Sequence, residues 1–280
     1  MRTRFAVTVL RPPGYQHWEV FSEVATTVHC ALSRLGHDSV LTHESRLAGR
    51  RHIVLGCNLL PSYRADLADD AILYNLEQVH GGSPWVTEDL LGLFRKHTVW
   101  DYSARNVVEL RRLGVDAVHH VPIGHVPELE RMRPAAREDI DVLFVGSLNE
   151  RRLETIRRLD AAGLGTVARF GLYGEQRDAL IARAKIVLNL HFYEAKVFEV
   201  VRVSYLLANN RFVVSERGGS PQEEAPFAPG VAFGDYADLP DLCRYYLDRD
   251  HERRARAEAG QAIMRSRRAT DILRSAVAAL

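Results

Sequence analysis

Between Lys185 and Tyr205 the sequence reads KIVLNLHFYEAKVFEVVRVSY. An apolar run, Ile186 to Leu190, gives way to a polar and aromatic loop, His191, Phe192, Tyr193 and Glu194. The apolar spacing beyond it predicts a helix from near Lys196, with Glu199 in its first turn. A helix start carries unsatisfied N–H groups and about half a positive charge, so it attracts an anion such as a diphosphate. Lys196 adds a full charge there, and the amides of Val197 and Phe198 precede Glu199. A carboxylate in the position of Glu199 can accept two hydrogen bonds, which suits the diol of a ribose. His191 and Glu194 stand beside it as further polar groups.

Two more predicted strand-to-helix turns carry the same kind of chemistry. In Gly146-Ser147-Leu148-Asn149-Glu150-Arg151-Arg152 a glycine permits close approach, and two guanidinium groups can clamp phosphate oxygens in pairs. In Gly171-Leu172-Tyr173-Gly174, Tyr173 offers an aromatic face for a base and Gly174 a backbone able to approach it. Read together, the three turns describe a nucleoside-diphosphate site in the C-terminal half. The N-terminal half places His17, Glu77 and Asp101 in loops after predicted strands, each a side chain able to take up a proton. Two Asp-x-Asp strings occur, at Asp139 and Asp141 and at Asp248 and Asp250. The first opens a strand and the second lies in a charged helical tail, so neither is expected to hold a metal. No G-x-G-x-x-G and no G-x-x-x-x-G-K-[ST] occurs, so the common dinucleotide and P-loop motifs are missing.

The elements that must position these residues alternate along the chain. Strands are predicted at Phe5–Leu10, Asp38–Leu41, His52–Gly56, Ala71–Tyr74, Thr98–Trp100 and Ala117–Val121, with a helix over Trp18–Leu35. Residues 126–139 are polar, hold two prolines and read as a linker. Strands then recur at Ile140–Val145, Val167–Phe170, Ile186–Leu190 and Phe212–Ser215, separated by helices over Arg151–Ala162, Gln176–Ala184 and Lys196–Ala208. The tail Leu239–Leu280 reads as helical with a break near Gly260. The expectation is an α/β chain of two Rossmann-like, doubly wound domains with a cleft between them, ligands sitting beyond the carboxyl ends of the strands. The expected boundaries are 1–127 for the first domain and 138–265 for the second. Residues 266–280 are expected to form a C-terminal helix that can cross back to the first domain.

Composition narrows the function class. The chain has 280 residues, 46% apolar and 26% charged, the balance of a globular protein. With 37 basic against 36 acidic residues the net charge is +1, which makes no global electrostatic case for nucleic acid or an anionic membrane. Cys30, Cys57 and Cys243 are scattered and lack a C-x-x-C pair, against a disulfide framework or zinc knuckle. No apolar run approaches the ~18 residues of a membrane span, and the N-terminus lacks the apolar core of a signal peptide. A cytoplasmic location is expected.

Several segments resemble a known family. DVLFVGSLNERR (141–152), YGEQRDALIARAKIVLNLH (173–191), KVFEVVRVSYLLANNRFVVSERG (196–218) and GVAFGDYADLPDLCRYYLDRDHERRARAEAG (230–260) are similar to the C-terminal half of GT-B glycosyltransferases. They resemble most the CgeB-like group of family-1-type enzymes. LYNLEQ, WDYSARN and VPIGH resemble that group's acceptor-domain signatures, which implies that 1–127 is the acceptor-side domain and 138–265 the nucleotide-sugar domain, and that in an inverting enzyme His17, Glu77 or Asp101 is the general base toward a hydroxyl acceptor. The resemblance implies that Glu199 binds the donor ribose and that Arg151 or Arg152 contacts the donor phosphates. Many retaining members carry a further glutamate eight residues before the ribose glutamate, where this sequence has His191, with Glu194 five residues before; the resemblance makes these two the candidates for the sugar hydroxyls and for catalysis on that side. The resemblance further implies a metal-independent glycosyltransferase using a nucleoside-diphosphate sugar, UDP among the candidates, and no cofactor. Its partners would be the nucleotide sugar and a small-molecule or glycan acceptor, with no nucleic acid; a homo-oligomer is left open. A catalytically reduced nucleotide-sugar-binding regulatory subunit and a nucleotide-sugar epimerase are the alternatives.

Overall fold

Short runs rich in Val, Ile and Leu pair in parallel here because helices on the crossovers cover the sheet faces that such strands leave bare. The computed structural model describes residues 3–63 and 65–280. It divides into two units, one running to Glu128 and completed by Arg267–Leu280, the other Leu129–Ser266.

The first unit contains β1 (Arg4–Val9), a 3-10 turn Gln16–Phe21, α1 (Ser22–Arg34), β2 (Asp38–Thr42), β3 (Arg51–Leu55), β4 (Ile72–Asn75), α2 (Glu88–Phe94), β5 (Thr98–Asp101), α3 (Ala104–Arg112) and β6 (Val118–His120). Its sheet is parallel with the order β2-β1-β3-β4-β5-β6. Leu10, Val54, Leu73, Phe94, Val99 and Leu110 anchor one face of its core. Burying an aliphatic or aromatic side chain of this size contributes about 1.5–3 kcal/mol.

The second unit contains β7 (Ile140–Val145), α4 (Glu150–Ala161), β8 (Thr166–Arg169), α5 (Gly174–Arg183), β9 (Ala184–Asn189), α6 (Val200–Ala208), β10 (Val213–Glu216), α7 (Pro221–Glu224), β11 (Val231–Gly234), α8 (Leu239–Leu247) and α9 (Asp250–Ser266). Its parallel sheet has the order β11-β10-β9-β7-β8. The winding direction reverses between β7 and β9, which opens a crevice beyond their carboxyl ends. Helix α10 (Ala269–Ala278) returns to the first unit and packs on α1.

Three sequence expectations change. The helix predicted from Lys196 starts at Val200, with Glu199 as its N-cap. Lys196 itself has a left-handed backbone (φ 47), which a helix cannot contain. The tail breaks at residues 248–249 and 267–268, not at Gly260, which lies inside α9. There a Cβ would stand 2.7 Å from Leu207 Cδ2, so the small residue lets that side chain pack where it does. The first helix begins as the 3-10 turn and becomes α-helical only at Ser22. Strand β11 and helices α2 and α3 were not expected from the sequence. The three cysteines are all free thiols. Among the described residues no helix is long and apolar enough to cross a membrane.

Candidate functional site

The loops after β7 and β9 flank the crevice of the second sheet, and a polar lattice ties them together. Asn149 caps α4 by accepting from the Arg152 N–H at 2.9 Å, and its Nδ2 donates to Phe192 O at 3.0 Å. The Arg152 side chain turns inward and is only 2% exposed. It donates to Ser147 O at 2.8 Å, to Leu190 O, and to Glu199 Oε1 at 3.1 Å. The rings of Phe192 and Phe144 stand 5.0 and 5.2 Å from its guanidinium carbon. Burial pulls its pKa down to about 10, against the pull of Glu199 upward, so it stays charged at neutral pH. The expectation of Arg152 as an open phosphate clamp is corrected: this arginine is committed to the chain's own carbonyls and to Glu199.

Arg151 faces a second carboxylate. Its Nη1 donates to Glu216 Oε2 at 2.6 Å and to His191 O at 3.2 Å, and its Nη2 donates to Glu216 Oε1. Lys196 Nζ lies 3.0 Å from the same Oε1. The His191 N–H adds a bond to Glu216 Oε2 at 3.2 Å. Glu216 ends β10 with no exposed surface. Burial alone would raise its carboxyl, but Arg151 and Lys196 hold it below the usual glutamate range. The two cations keep 28% and 35% of their side chains exposed, so both retain a solvent-facing side. The Arg151 guanidinium also lies 4.2 Å over the Tyr236 ring, whose hydroxyl donates to Arg151 O at 2.6 Å.

The left-handed Lys196 holds this arrangement in place. Such a backbone costs a non-glycine residue roughly 1–2 kcal/mol. Its carbonyl accepts from Gly219 N at 2.9 Å, and a Cβ at Gly218 would sit 2.6 Å from that oxygen. Only glycine therefore lets the loop after β10 approach the loop after β9 this closely.

Glu199 receives Arg152 on Oε1 and Arg202, from the first turn of α6, at 3.4 Å on Oε2. Arg202 and Glu216 were not singled out in the sequence. Their signals are faint: Arg202 falls three residues after Glu199, and Glu216 is a charge ending an apolar strand. Gly146 has a role beside Arg202, because a Cβ there would lie 3.1 Å from Arg202 Nη2 and 3.3 Å from Phe144.

The remaining predicted residues separate by burial. The side chains of Val197 and Phe198 are enclosed, Phe198 against Phe227 and Phe233, so only their backbones can meet a ligand. The His191 ring is fully enclosed, with Nε2 donating to Glu216 O at 3.2 Å. Burial pushes its pKa below that of a free imidazole. Glu194 is exposed, and Tyr173 and Gly174 are half-buried at the start of α5.

In the first unit, His17 is half-buried in the 3-10 turn with its ring edge-on to Tyr15 at 5.6 Å. Glu77 is half-buried in the loop after β4, and Asp101 ends β5 with no exposed surface. The Asp101 carboxylate accepts from Asn75 Nδ2 at 2.6 Å, Ser103 N at 2.8 Å and Asn106 Nδ2 at 3.1 Å. An acceptor cannot reach a carboxylate so enclosed, so its expectation as a general base is corrected to a structural role. The Asp-x-Asp strings are salt-bridged, Asp139 to Arg183, Asp141 to Lys185 and Asp250 to Arg254. Among the described residues no group of three or more His, Cys, Asp or Glu is arranged to hold a metal ion.

Residues 129–273 match the family described as glycosyl transferase-like. No curated protein matches the sequence significantly. Solved structures similar over the chain include AviGT4, a glycosyltransferase involved in avilamycin A biosynthesis, at 18% identity with 99% of each chain covered and a TM-score of 0.54. Others are HepE of Anabaena in complex with UDP and glucose, at 10% identity, 100% of each chain and a TM-score of 0.61, and WaaG, a glycosyltransferase involved in lipopolysaccharide biosynthesis, at 12%, 98% of each chain and 0.60. At these identities the likeness is one of fold: two parallel-sheet α/β domains, as in GT-B glycosyltransferases.

Proposed function

The chain belongs to the glycosyl transferase-like family, and from that premise we propose that it moves a sugar from a nucleoside-diphosphate donor to a hydroxyl-bearing acceptor. The finer assignment to a CgeB-like group belongs to the same proposal. The observation that carries it is the convergence of Arg151, Lys196 and Glu199 where α6 begins, at the reversal point of the second sheet.

Arg151 and Lys196, held by Glu216 and still partly exposed, receive the diphosphate together with the positive end of α6. Glu199, backed by Arg152 and Arg202, accepts hydrogen bonds from the ribose. Tyr173 and Gly174 adjoin the base, and Gly146 leaves room at the loop after β7. Of the two polar residues before Lys196, the exposed Glu194 rather than the enclosed His191 is available to sugar hydroxyls.

In the reaction the anomeric carbon–oxygen bond breaks, its electron pair leaves with the nucleoside diphosphate, and the acceptor hydroxyl oxygen bonds to the anomeric carbon as its O–H bond breaks and the proton passes to the departing phosphate or to solvent. Cations fixed before the reaction stabilise the charge growing on the leaving phosphate. They supply what a divalent metal would otherwise supply, so turnover is metal-independent in this reading. HepE, similar in fold, was solved with UDP and glucose, which makes UDP the first nucleotide to test.

The test is a melting-temperature screen with UDP, dTDP, GDP and ADP, followed by turnover of the matching nucleotide glucose with and without EDTA. A nucleotide-specific rise and EDTA-insensitive release of the diphosphate support the proposal. No rise with any of the four, or no turnover, counts against it.

A further inference from the structure

The loop after β10 presses two glycines against the turn that carries Lys196. The Gly219 N–H donates to Lys196 O at 2.9 Å. A Cβ at Gly218 would stand 2.6 Å from that oxygen, 2.7 Å from Glu224 Oε1 and 3.3 Å from His191 Nε2. Lys196 and His191 belong to the loop after β9, but Glu224 comes from the end of α7. Glu224 is 3% exposed, and its Oε1 accepts the Gly218 N–H. Ser220 O accepts from the amides of Glu223 and Glu224 at 3.0 and 3.3 Å, so the chain doubles back and brings this carboxylate to the glycine.

A carboxylate taken out of water has to be compensated. Arg217, the nearest basic residue in sequence, pairs instead with Asp235 at 3.3 Å. Burial raises the Glu224 carboxyl above the usual glutamate range, against the pull of the Gly218 N–H and Arg217. An apolar side chain would fill this space without that cost, so the carboxylate is explained by the amide it holds. With Gly218 fixed, the next amide stays on Lys196 O, and Lys196 keeps its left-handed backbone (φ 47) with Nζ 3.0 Å from Glu216 Oε1. We infer that Glu224 is a positioning residue for the diphosphate grip: it pins Gly218, Gly219 thereby holds the Lys196 carbonyl, and the turn so fixed sets where the Lys196 ammonium stands. All of these residues belong to the second unit, and the role assigned to Glu224 rests on the nucleotide-sugar reading proposed above.

The test is calorimetric titration of UDP, or of whichever of dTDP, GDP and ADP the parent binds instead. The proteins are the parent, Glu224→Ala, Glu224→Gln, Lys196→Ala and the Lys196→Ala/Glu224→Ala double variant. Glu224→Ala is expected to weaken binding about fivefold. Glu224→Gln, whose amide oxygen can still accept the Gly218 N–H, is expected to stay within about twofold of the parent. Once Lys196→Ala has removed the ammonium, adding Glu224→Ala is expected to change affinity by less than about twofold. Loss of stability alone would give neither the rescue by glutamine nor the missing second loss. Unchanged affinity in Glu224→Ala, an equal loss in Glu224→Gln, or a full further loss on the Lys196→Ala background overturns the inference and leaves nucleotide binding standing. If Glu224→Ala does not fold, Glu224→Asp, which keeps the charge but withdraws it by one methylene, carries the same cycle. A parent that binds none of the four nucleotides overturns the nucleotide-sugar reading itself, and the positioning role with it.

Discussion

Arg152 Nη2 lies 3.1 Å from Glu199 Oε1, and the arginine is buried beneath the carboxylate it supports. One member of the Arg-Arg pair is therefore committed to the fold, while its neighbour Arg151 keeps a solvent-facing side. Breaking a buried ion pair from one side commonly costs about 3–5 kcal/mol. Arg152→Met keeps much of the volume but leaves Glu199 without this partner and strips Ser147 O and Leu190 O of donors. It is expected to lower stability by about that amount, read as a shift in the urea midpoint. A variant as stable as the parent but weak toward UDP would instead mean that Arg152 reaches the phosphates.

Glu199→Ala is expected to weaken UDP binding at least tenfold, about 1.4 kcal/mol. If the carboxylate holds the ribose diol, the parent should prefer UDP over 2′-deoxy-UDP and the variant should not. Calorimetric titration of both nucleotides into both proteins closes the cycle. A preference that survives the substitution removes Glu199 from the ribose.

Acid should weaken the second unit in an ordered way. Burial holds His191 neutral, with its pKa below that of a free imidazole. The unfolded chain then takes up a proton near pH ~6.5 that the folded chain refuses. Stability is full above that pH and declines as pH falls toward the lowered folded value. Glu216 is also lowered, so its contribution is present above the unfolded carboxyl value of about 4.3 and fades as pH falls through its folded pKa. Urea titrations at pH 7, 6 and 5 should show a shallower decline in His191→Asn than in the parent. The decline should shrink rather than vanish, because burial also lowers His52 in the first unit. Equal slopes in the two proteins would show that His191 does not titrate on unfolding in this range.

The strands were legible as short apolar runs, and Ile140–Val145 begins and ends where predicted. Turns were harder. The pattern extended α6 back to Lys196 because Lys196 and Val197 suit a helix locally, but the bond from Gly219 N to Lys196 O belongs to a loop twenty-three residues distant in sequence and holds a different backbone. The same limit applies to the charges. Sequence spacing brought Arg151, Arg152, Lys196 and Glu199 into one neighbourhood, but only the pairing of β9 with β10 brings Glu216 beside Arg151 and His191. Gly260 misled for a related reason: its partner across the fold, Leu207, lies in another helix.

The most direct test of the diphosphate grip is calorimetric titration of UDP into the parent and into an Arg151→Ala/Lys196→Ala double variant, with circular dichroism to verify the fold of each. The account predicts binding by the parent and a loss of about a hundredfold in the variant, about 2.7 kcal/mol. Equal affinity in the two folded proteins would contradict it.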